Sequence, residues 1–600
     1  MPADTVAAVD APAAQPRFIA ANGDANARAL FVWHHPASPT VRRGASIVLC
    51  PAIGYEYMSA YRTWRLLAER LAALGFDTLR VDYDGTGNST GDALDPDRVP
   101  AWLRSIACAT AEARRLSGTD RVALVGMRLG GILALQSAAS DGNVERLVLW
   151  SPFPSGRACV RELRALARLG VQDDPHEDGD DPAINAEGHV IAADTVAALS
   201  EWTLDAVTTR PATDVLLVDR DDRPVDPAVE AHLRTLGTRV ERMRVSGTAE
   251  MLLPPHLSQV PEHALDGIET WFRDWYSSVG RSSAHPEPTQ PDGRSRAFHV
   301  HGERAVRFGP GGRLFGMLAC GAESSSAPAV ILFNTGAGHH VGPHRLYVPL
   351  AREWARRGHL VLRFDLGGIG DSAPPPGAGA NTVYPAHMLD DAREAIALAR
   401  REAPHRPVVA AGLCSGGWLA FEAARHGLAV DGIVAINAPL YLRDSGAAWL
   451  RDGRALDRYL QSARDPSKWI KALSGGASYA TFSRLAARAV ARHVAVRVSG
   501  ALGDSLPDGL AQDLCVIAGR QVRSLFVFSR GDDGLAYFQL HAQPALRRDK
   551  VRNFVRHVVV ENAGHVFRPR AAQHTLCELL SGFVSDPALS GSSTLAEGAS

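Results

Sequence analysis

Apolar and polar residues along this chain alternate between two periods. Short, almost wholly apolar runs read as buried strands: ASIVLCPAIGYEY at 45–57, FDTLRVDYD at 76–84, VALVG at 122–126, then AVILFN at 329–334, HLVLRFD at 359–365 and VVAAG at 408–412. Between them, apolar residues recur every three or four positions, as in YRTWRLLAERLAALG (61–75) and YVPLAREWARRG (347–358). That is the spacing of a one-sided helix. Strand and helix alternate throughout, which predicts an α/β fold: a mostly parallel sheet with helices on both faces.

The whole pattern occurs twice, at an offset of about 285 residues, far too long for a solenoid repeat. FDTLRVDYDGTGNSTGD (76–92) answers HLVLRFDLGGIGDS (359–372), with Asp82 and Asp365 in matching places, and VALVGMRLGGILAL (122–135) answers VVAAGLCSGGWLAF (408–421). Two tandem domains are therefore expected, at 18–276 and 297–585. Between the copies, SSVGRSSAHPEPTQPDGRSR (277–296) has no apolar period and is rich in Ser, Pro, Gly and charge, so it reads as a linker. Residues 1–17 and 586–600 read as disordered tails. Each copy carries a long insert, at about 155–211 and 440–520; the first holds the acidic run DDPHEDGDD and the second helical text such as RALDRYLQSARDPSKWIKAL.

Composition narrows the functions. The chain has 600 residues, 46% apolar and 22% charged, with a formal charge of −1. Those are values for a soluble globular protein, with no field directed at nucleic acid or an anionic membrane. No apolar run reaches the length of a membrane span. MPADTVAAVDAPAAQPR lacks the basic start and apolar core of a signal peptide. The seven cysteines stand singly at 50, 108, 159, 320, 414, 515 and 577, without metal-ligand or CxxC spacing. This argues against a disulfide framework or a metal site and for a cytoplasmic location, and nothing calls for a cofactor.

The chemistry concentrates in VVAAGLCSGGWLAFEAARHG, 408–427. It reads as a strand, a sharp turn and a helix. Such a turn leaves room only for small residues two places before and after its apex. With Cys414 at the apex the flanks are Gly412 and Gly416; with Ser415 there, one flank is Leu413, which clashes. Cys414 is therefore the candidate nucleophile. The alternative is an inert buried cysteine in a glycine-rich turn.

This strand-turn-helix resembles the nucleophile elbow of α/β-hydrolases, and the resemblance extends over nearly all of 25–275 and 300–583. The first copy, with GMRLGG, and the second, with GLCSGG, VGPHRLY and LRFDLGGIGDS, look like bacterial hydrolases associated with exosortase and biosynthetic gene clusters. Relatives such as dienelactone hydrolase carry a Cys-His-Asp triad. The resemblance implies the order nucleophile, acid, histidine, and an insert that caps the site. After Cys414 the strand end SLFVFSRGDDG (524–534) offers Asp532 and Asp533, of which Asp532 follows the Gly531 turn directly. The last strand ends in VRHVVVENAGHVF (555–567), where His565 follows Gly564. The oxyanion hole falls to the N–H of Ser415 and a second N–H from NTGAGHH, assigned to Gly336; His339 and His340 flank that loop as pocket residues rather than metal ligands.

The first copy departs from this pattern. Its apex is Arg128, which stays protonated and cannot attack a carbonyl. Asp222 occupies the acid loop and Glu250 stands roughly opposite His565, while His256 lies six residues further on. The expected role is a buried ion pair of Arg128 with Asp222 or Glu250; the other reading is an anion pocket. Together these features imply an ester or thioester hydrolase or acyltransferase acting on a small acyl substrate, free or carrier-bound, with a silent first domain. The competing reading is a non-enzymatic binding protein with both pockets repurposed.

Overall fold

The computed structural model describes residues 13–21, 28–170, 182–275, 302–321, 325–444 and 509–590. Its strands in the first half are β1 (Gln15–Ala20), β2 (Ala29–His35), β3 (Ser46–Cys50), β4 (Asp77–Val81), β5 (Val122–Met127), β6 (Val144–Trp150), β7 (Ile184–Ala186), β8 (His189–Ile191), β9 (Asp214–Arg220) and β10 (Arg239–Val245). In the second half they are β11 (Glu303–Phe308), β12 (Leu314–Cys320), β13 (Ala329–Phe333), β14 (Leu360–Asp365), β15 (Val408–Leu413), β16 (Gly432–Ile436), β17 (Arg523–Ser529) and β18 (Val555–Val560). They build two eight-stranded sheets, with β7 and β8 forming a separate hairpin.

The first sheet runs β1-β2-β4-β3-β5-β6-β9-β10. The β1–β2 and β2–β4 pairs are antiparallel and every pair from β4 onward is parallel. Its central strands are continuous apolar runs because both faces are covered. In β5, Val122 and Leu124 belong to one core, and Ala123, Val125 and Met127 to the other. Successive side chains of a strand point to opposite faces, so one strand serves two cores. The helix Gly54–Ala73 buries Trp64, Leu67, Ala68 and Leu71, the one-sided stripe its spacing predicts. In the second sheet, β11–β12 and β12–β14 are antiparallel, and β13, β15, β16, β17 and β18 run parallel in that order. The chain thus carries two tandem α/β domains with mostly parallel sheets.

The backbone clusters into two compact units. One comprises Met1–Ser325, Gly336–His387 and Arg568–Arg570; the other comprises Ser326–Thr335, Met388–Phe567 and Ala571–Ser600. The first unit therefore draws on both sequence copies. Inside it Arg80 pairs with Asp371 at 2.6 Å, the Tyr61 hydroxyl donates to Asp371 at 2.5 Å, and the Trp33 and Phe315 rings lie 4.6 Å apart. These contacts join residues 282 to 310 positions apart within that unit.

Other differences are local. β1 starts at Gln15, because residues 15–20 pair with 29–34 of β2, so it takes in part of the stretch expected to be an N-terminal tail. The helix Pro587–Ser590 likewise takes in residues expected to be a C-terminal tail, and Leu589 is buried. The first insert contains the helix Gly156–Gly170, the β7–β8 hairpin and the helix Ala193–Glu201. Its acidic run, the expected linker at 277–296 and most of the second insert lie outside the described residues. Among the described residues no helix is long and apolar enough to cross a membrane.

Candidate active site

β15 ends at Leu413 and the helix Ser415–Arg425 begins two residues later. Between them Cys414 holds φ 54° and ψ −115°, a strained conformation outside the regions that L residues favour. Its N–H donates to the Ile436 carbonyl at 2.8 Å, which pins the apex to the end of β16. A Cβ on Gly412 would come within 2.4 Å of Gly416, and one on Gly416 within 2.6 Å of the Asn334 carbonyl. Both flanks therefore exclude any side chain. Leu413 is fully buried in the strand. Ser415 is turned away from the apex, its hydroxyl donating to the Asn334 carbonyl at 3.4 Å. Its backbone opens the helix, whose first N–H groups have no partner within the helix.

The strand ends beside the elbow supply two more groups. Asp532 precedes the helix Asp533–His541; its Oδ1 accepts from the Gly534 N–H at 2.8 Å and caps the helix. Its Oδ2 meets His565 Nδ1 at 2.6 Å. His565 also lies close enough to the Cys414 thiol for the sulfur to act on its protonation. Partial burial lowers the pKa of the imidazole, but the hydrogen bond to Asp532 and the nearby Cys414 sulfur outweigh it, and the pKa is pushed up to about 10. The His565 ring remains 48% exposed while Asp532 is buried. Cys414 and Asp532 thus flank His565, with the hydrogen bond on the Asp532 side. Asp533 opens the helix and does not take this place.

Sequence reasoning passed over Asn437, the residue that holds this line from behind. It follows β16 with φ 43° and is fully buried. Its Oδ1 accepts from the Ser529 N–H at 2.8 Å, and its Nδ2 donates to Ser529 Oγ at 3.0 Å and to the His565 carbonyl at 2.7 Å. One amide therefore ties the ends of β16 and β17 to the histidine loop. The signal in the sequence is slight: a polar residue closing the apolar run GIVAIN.

The remaining expected residues lie in the first compact unit. Gly336 holds φ 56°, which only glycine adopts at little cost. His339 stacks on Tyr61 at 3.9 Å. His340 pairs through Nδ1 with Asp365 Oδ2 at 2.9 Å, and its Nε2 faces the Asn88 amide at 3.0 Å. His340, Asp365 and Asp371 offer ligand atoms within 4.8 Å of one another. They suit a metal ion poorly, since both His340 nitrogens are engaged and Asp371 already holds the Arg80 guanidinium. The matching Asp82 and Asp365 are loop anchors: each accepts from the backbone N–H six residues on, Asn88 at 2.8 Å and Asp371 at 3.0 Å.

The first copy repeats the elbow with an arginine at its apex. Arg128 holds φ 55° and ψ −121°, and its N–H donates to the Trp150 carbonyl at 3.0 Å. Its partners are not the ones expected. The guanidinium pairs with Glu56 at 2.8 Å and with Glu162, and lies over the Phe153 ring at 4.1 Å. Asp222 instead pairs with Arg220, and Glu250 is exposed in the turn Thr248–Met251. The cause is the insert: its helix Gly156–Gly170 brings Glu162 over the elbow, while Glu56 comes from the first turn of the helix Gly54–Ala73. His256 is exposed.

Both copies are similar to one family, described as serine aminopeptidase, S33, whose model matches residues 45–172 and 325–473. Among solved structures, Est1E of Butyrivibrio proteoclasticus with bound ferulic acid is 18% identical and has a TM-score of 0.32, covering 43% of this chain and 97% of its own. A putative hydrolase of Agrobacterium vitis S4 is 15% identical with a TM-score of 0.30, covering 44% of this chain and 99% of its own. The esterase of Pyrobaculum calidifontis is 17% identical with a TM-score of 0.29, covering 44% and 87%.

Proposed function

We propose that this chain, a tandem of α/β-hydrolase-type domains, is an acyl hydrolase or acyltransferase that works through Cys414, His565 and Asp532 in its second copy. The observation that carries this reading is the strained Cys414 apex beside His565, whose other side is hydrogen-bonded to Asp532. Its chemistry follows from the groups present. The imidazole takes the thiol proton, and an imidazole kept basic by Asp532 holds that proton well above neutral pH. The thiolate attacks the acyl carbonyl carbon, and the new oxyanion is met by the Ser415 N–H at the head of its helix. The tetrahedral adduct collapses, His565 returns its proton to the departing alcohol or thiol, and a thioester remains on Cys414. Water, or another hydroxyl or thiol, then gives a proton to His565 and attacks that thioester, releasing the acyl group and restoring the thiol.

A thiol nucleophile favours thioester substrates, because exchange between two thiols is nearly balanced, and such a substrate is either free or borne on a carrier. The first copy lacks a nucleophile, and its Arg128 is committed to two glutamates, which supports a scaffold or binding role. The test is a panel of acyl thioesters and p-nitrophenyl esters given to wild type, Cys414→Ala and Ser415→Ala. Turnover lost in Cys414→Ala and largely kept in Ser415→Ala is the expected result. The reverse order would overturn the cysteine mechanism.

A further inference from the structure

In the first compact unit, a cavity of about 220 Å³ is lined by Gly91, Asp92, Arg345, Pro349, Arg352 and Arg356. Arg345 is unusual among them. Its Nε, Nη1 and Nη2 donate to the carbonyls of Gly87 at 2.8 Å, Gly91 at 3.0 Å and Ser89 at 2.6 Å. Among the described residues no carboxylate lies within ion-pairing distance of it. Arg345 is part-buried, and a guanidinium whose hydrogen-bond partners are carbonyl dipoles keeps a charge that an anion can answer. Burial, and then the neighbouring Arg352 and Arg363, lower its pKa to about 10 against the opposing pull of Asp92 and Glu303. The backbone is also strained to place it: His344 and Arg345 hold φ 53° and 65° in succession.

The neighbouring arginines do not balance. Arg352 donates to Glu303 at 2.7 Å, but Glu303 is shared with the buried Arg363, also at 2.7 Å. Arg356 pairs with Glu353, which also takes Arg357 at 2.9 Å. Of the charged residues that line the cavity, Arg345, Arg352 and Arg356 are positive and Asp92 alone is negative, an excess of two positive charges at its wall. A guanidinium has five N–H donors, and three on Arg345 and three on Arg352 are engaged, which leaves two on each.

We propose that this cavity binds a phosphate group. Two surplus charges and planar guanidinium forks match a phosphate dianion better than a single carboxylate. The cavity is also far larger than the space one water needs. The proposal does not depend on Cys414.

Isothermal titration of the full chain with inorganic phosphate and with pyrophosphate, at constant ionic strength set with chloride, tests it. One saturable site per chain is expected, tighter for pyrophosphate. Arg356→Glu alters an exposed side chain at the cavity wall, so it spares the fold and should weaken binding by about tenfold or more. Arg393→Glu, on an exposed guanidinium paired with Asp390 on another helix, should leave binding unchanged. Absence of saturable heat with both anions, undiminished binding in Arg356→Glu, or equal weakening in Arg393→Glu would each overturn the proposal.

Discussion

Asn437→Ala is the substitution that separates orientation from mere folding in the second copy. The side chain makes three buried hydrogen bonds, two with Ser529 and one with the His565 carbonyl. At roughly 1 kcal/mol net for each bond, their loss amounts to about 3 kcal/mol. Alanine tolerates φ 43° less well than asparagine, which adds about 1 kcal/mol. Asn437→Gly relieves that backbone strain but restores none of the bonds, so the gap between the two variants in urea unfolding isolates the strain. Stability alone says nothing of the site; the reactivity of Cys414 does. With the histidine loop untied, His565 drifts from both Asp532 and the thiol, and a shift of about 1 Å costs on the order of a hundredfold in reactions that need alignment. Iodoacetamide labelling of Cys414 against pH, followed by mass spectrometry, reads this without any substrate. In wild type the imidazolium persists until the pH reaches about 10. In Asn437→Ala and Asn437→Gly alike, labelling near neutral pH should slow and the upper edge of the profile should move to lower pH. A loss of stability with an unchanged labelling rate and profile would refute the orienting role.

Three further outcomes are expected. The pKa of His565 is raised in the folded chain from about 6.5 to about 10, so its pairing stabilises fully below about pH 6.5 and is lost as pH rises through about 10; the stability advantage of wild type over His565→Gln in urea unfolding should therefore shrink across that window, and an advantage that grows with pH would contradict the pairing. Arg128→Met strands Glu56 and Glu162 and should cost about 2–4 kcal/mol, at the lower end for a broken ion pair because both carboxylates are partly exposed, with Glu56→Gln in the same chain recovering part of it and activity per folded molecule unchanged. Limited proteolysis should cut within 277–296 on its composition, and the two pieces should co-elute on a sizing column, since residues of both copies build the first compact unit; fragments that separate without denaturant would contradict that packing.

What could be read from the chain beforehand depended on how local each constraint is. The elbow lies within nine residues, and its rule is steric: a side chain at 412 or 416 meets backbone at under 3 Å, so the glycines alone select Cys414 as the apex. The strands were legible for a similar reason, because a strand covered on both faces must be apolar throughout, as Val122–Met127 is. Pairings across long separations leave no such trace. Arg128 meets Glu56, 72 residues away, and Glu162, 34 residues away, while the two carboxylates expected to hold it turn elsewhere. Any of many acids could have served, and the choice was made by where the insert helix lands. Asn437 reaches the His565 carbonyl across 128 positions, and Arg80 reaches Asp371 across 291. Such bonds are visible only once the sheet order is known. The two copies also diverge at this level. Each has a strained residue just after β6 or β16, Ser151 at φ 49° and Asn437 at φ 43°, whose N–H donates to the next strand at 2.9 and 2.8 Å. The second copy adds an amide there that reaches onward to its histidine loop; the first has a serine there, and its apex is an arginine bound by two glutamates. The scaffold of the elbow persists in both copies, while the side chain behind it differs: an amide that reaches the His565 carbonyl in one, a serine in the other.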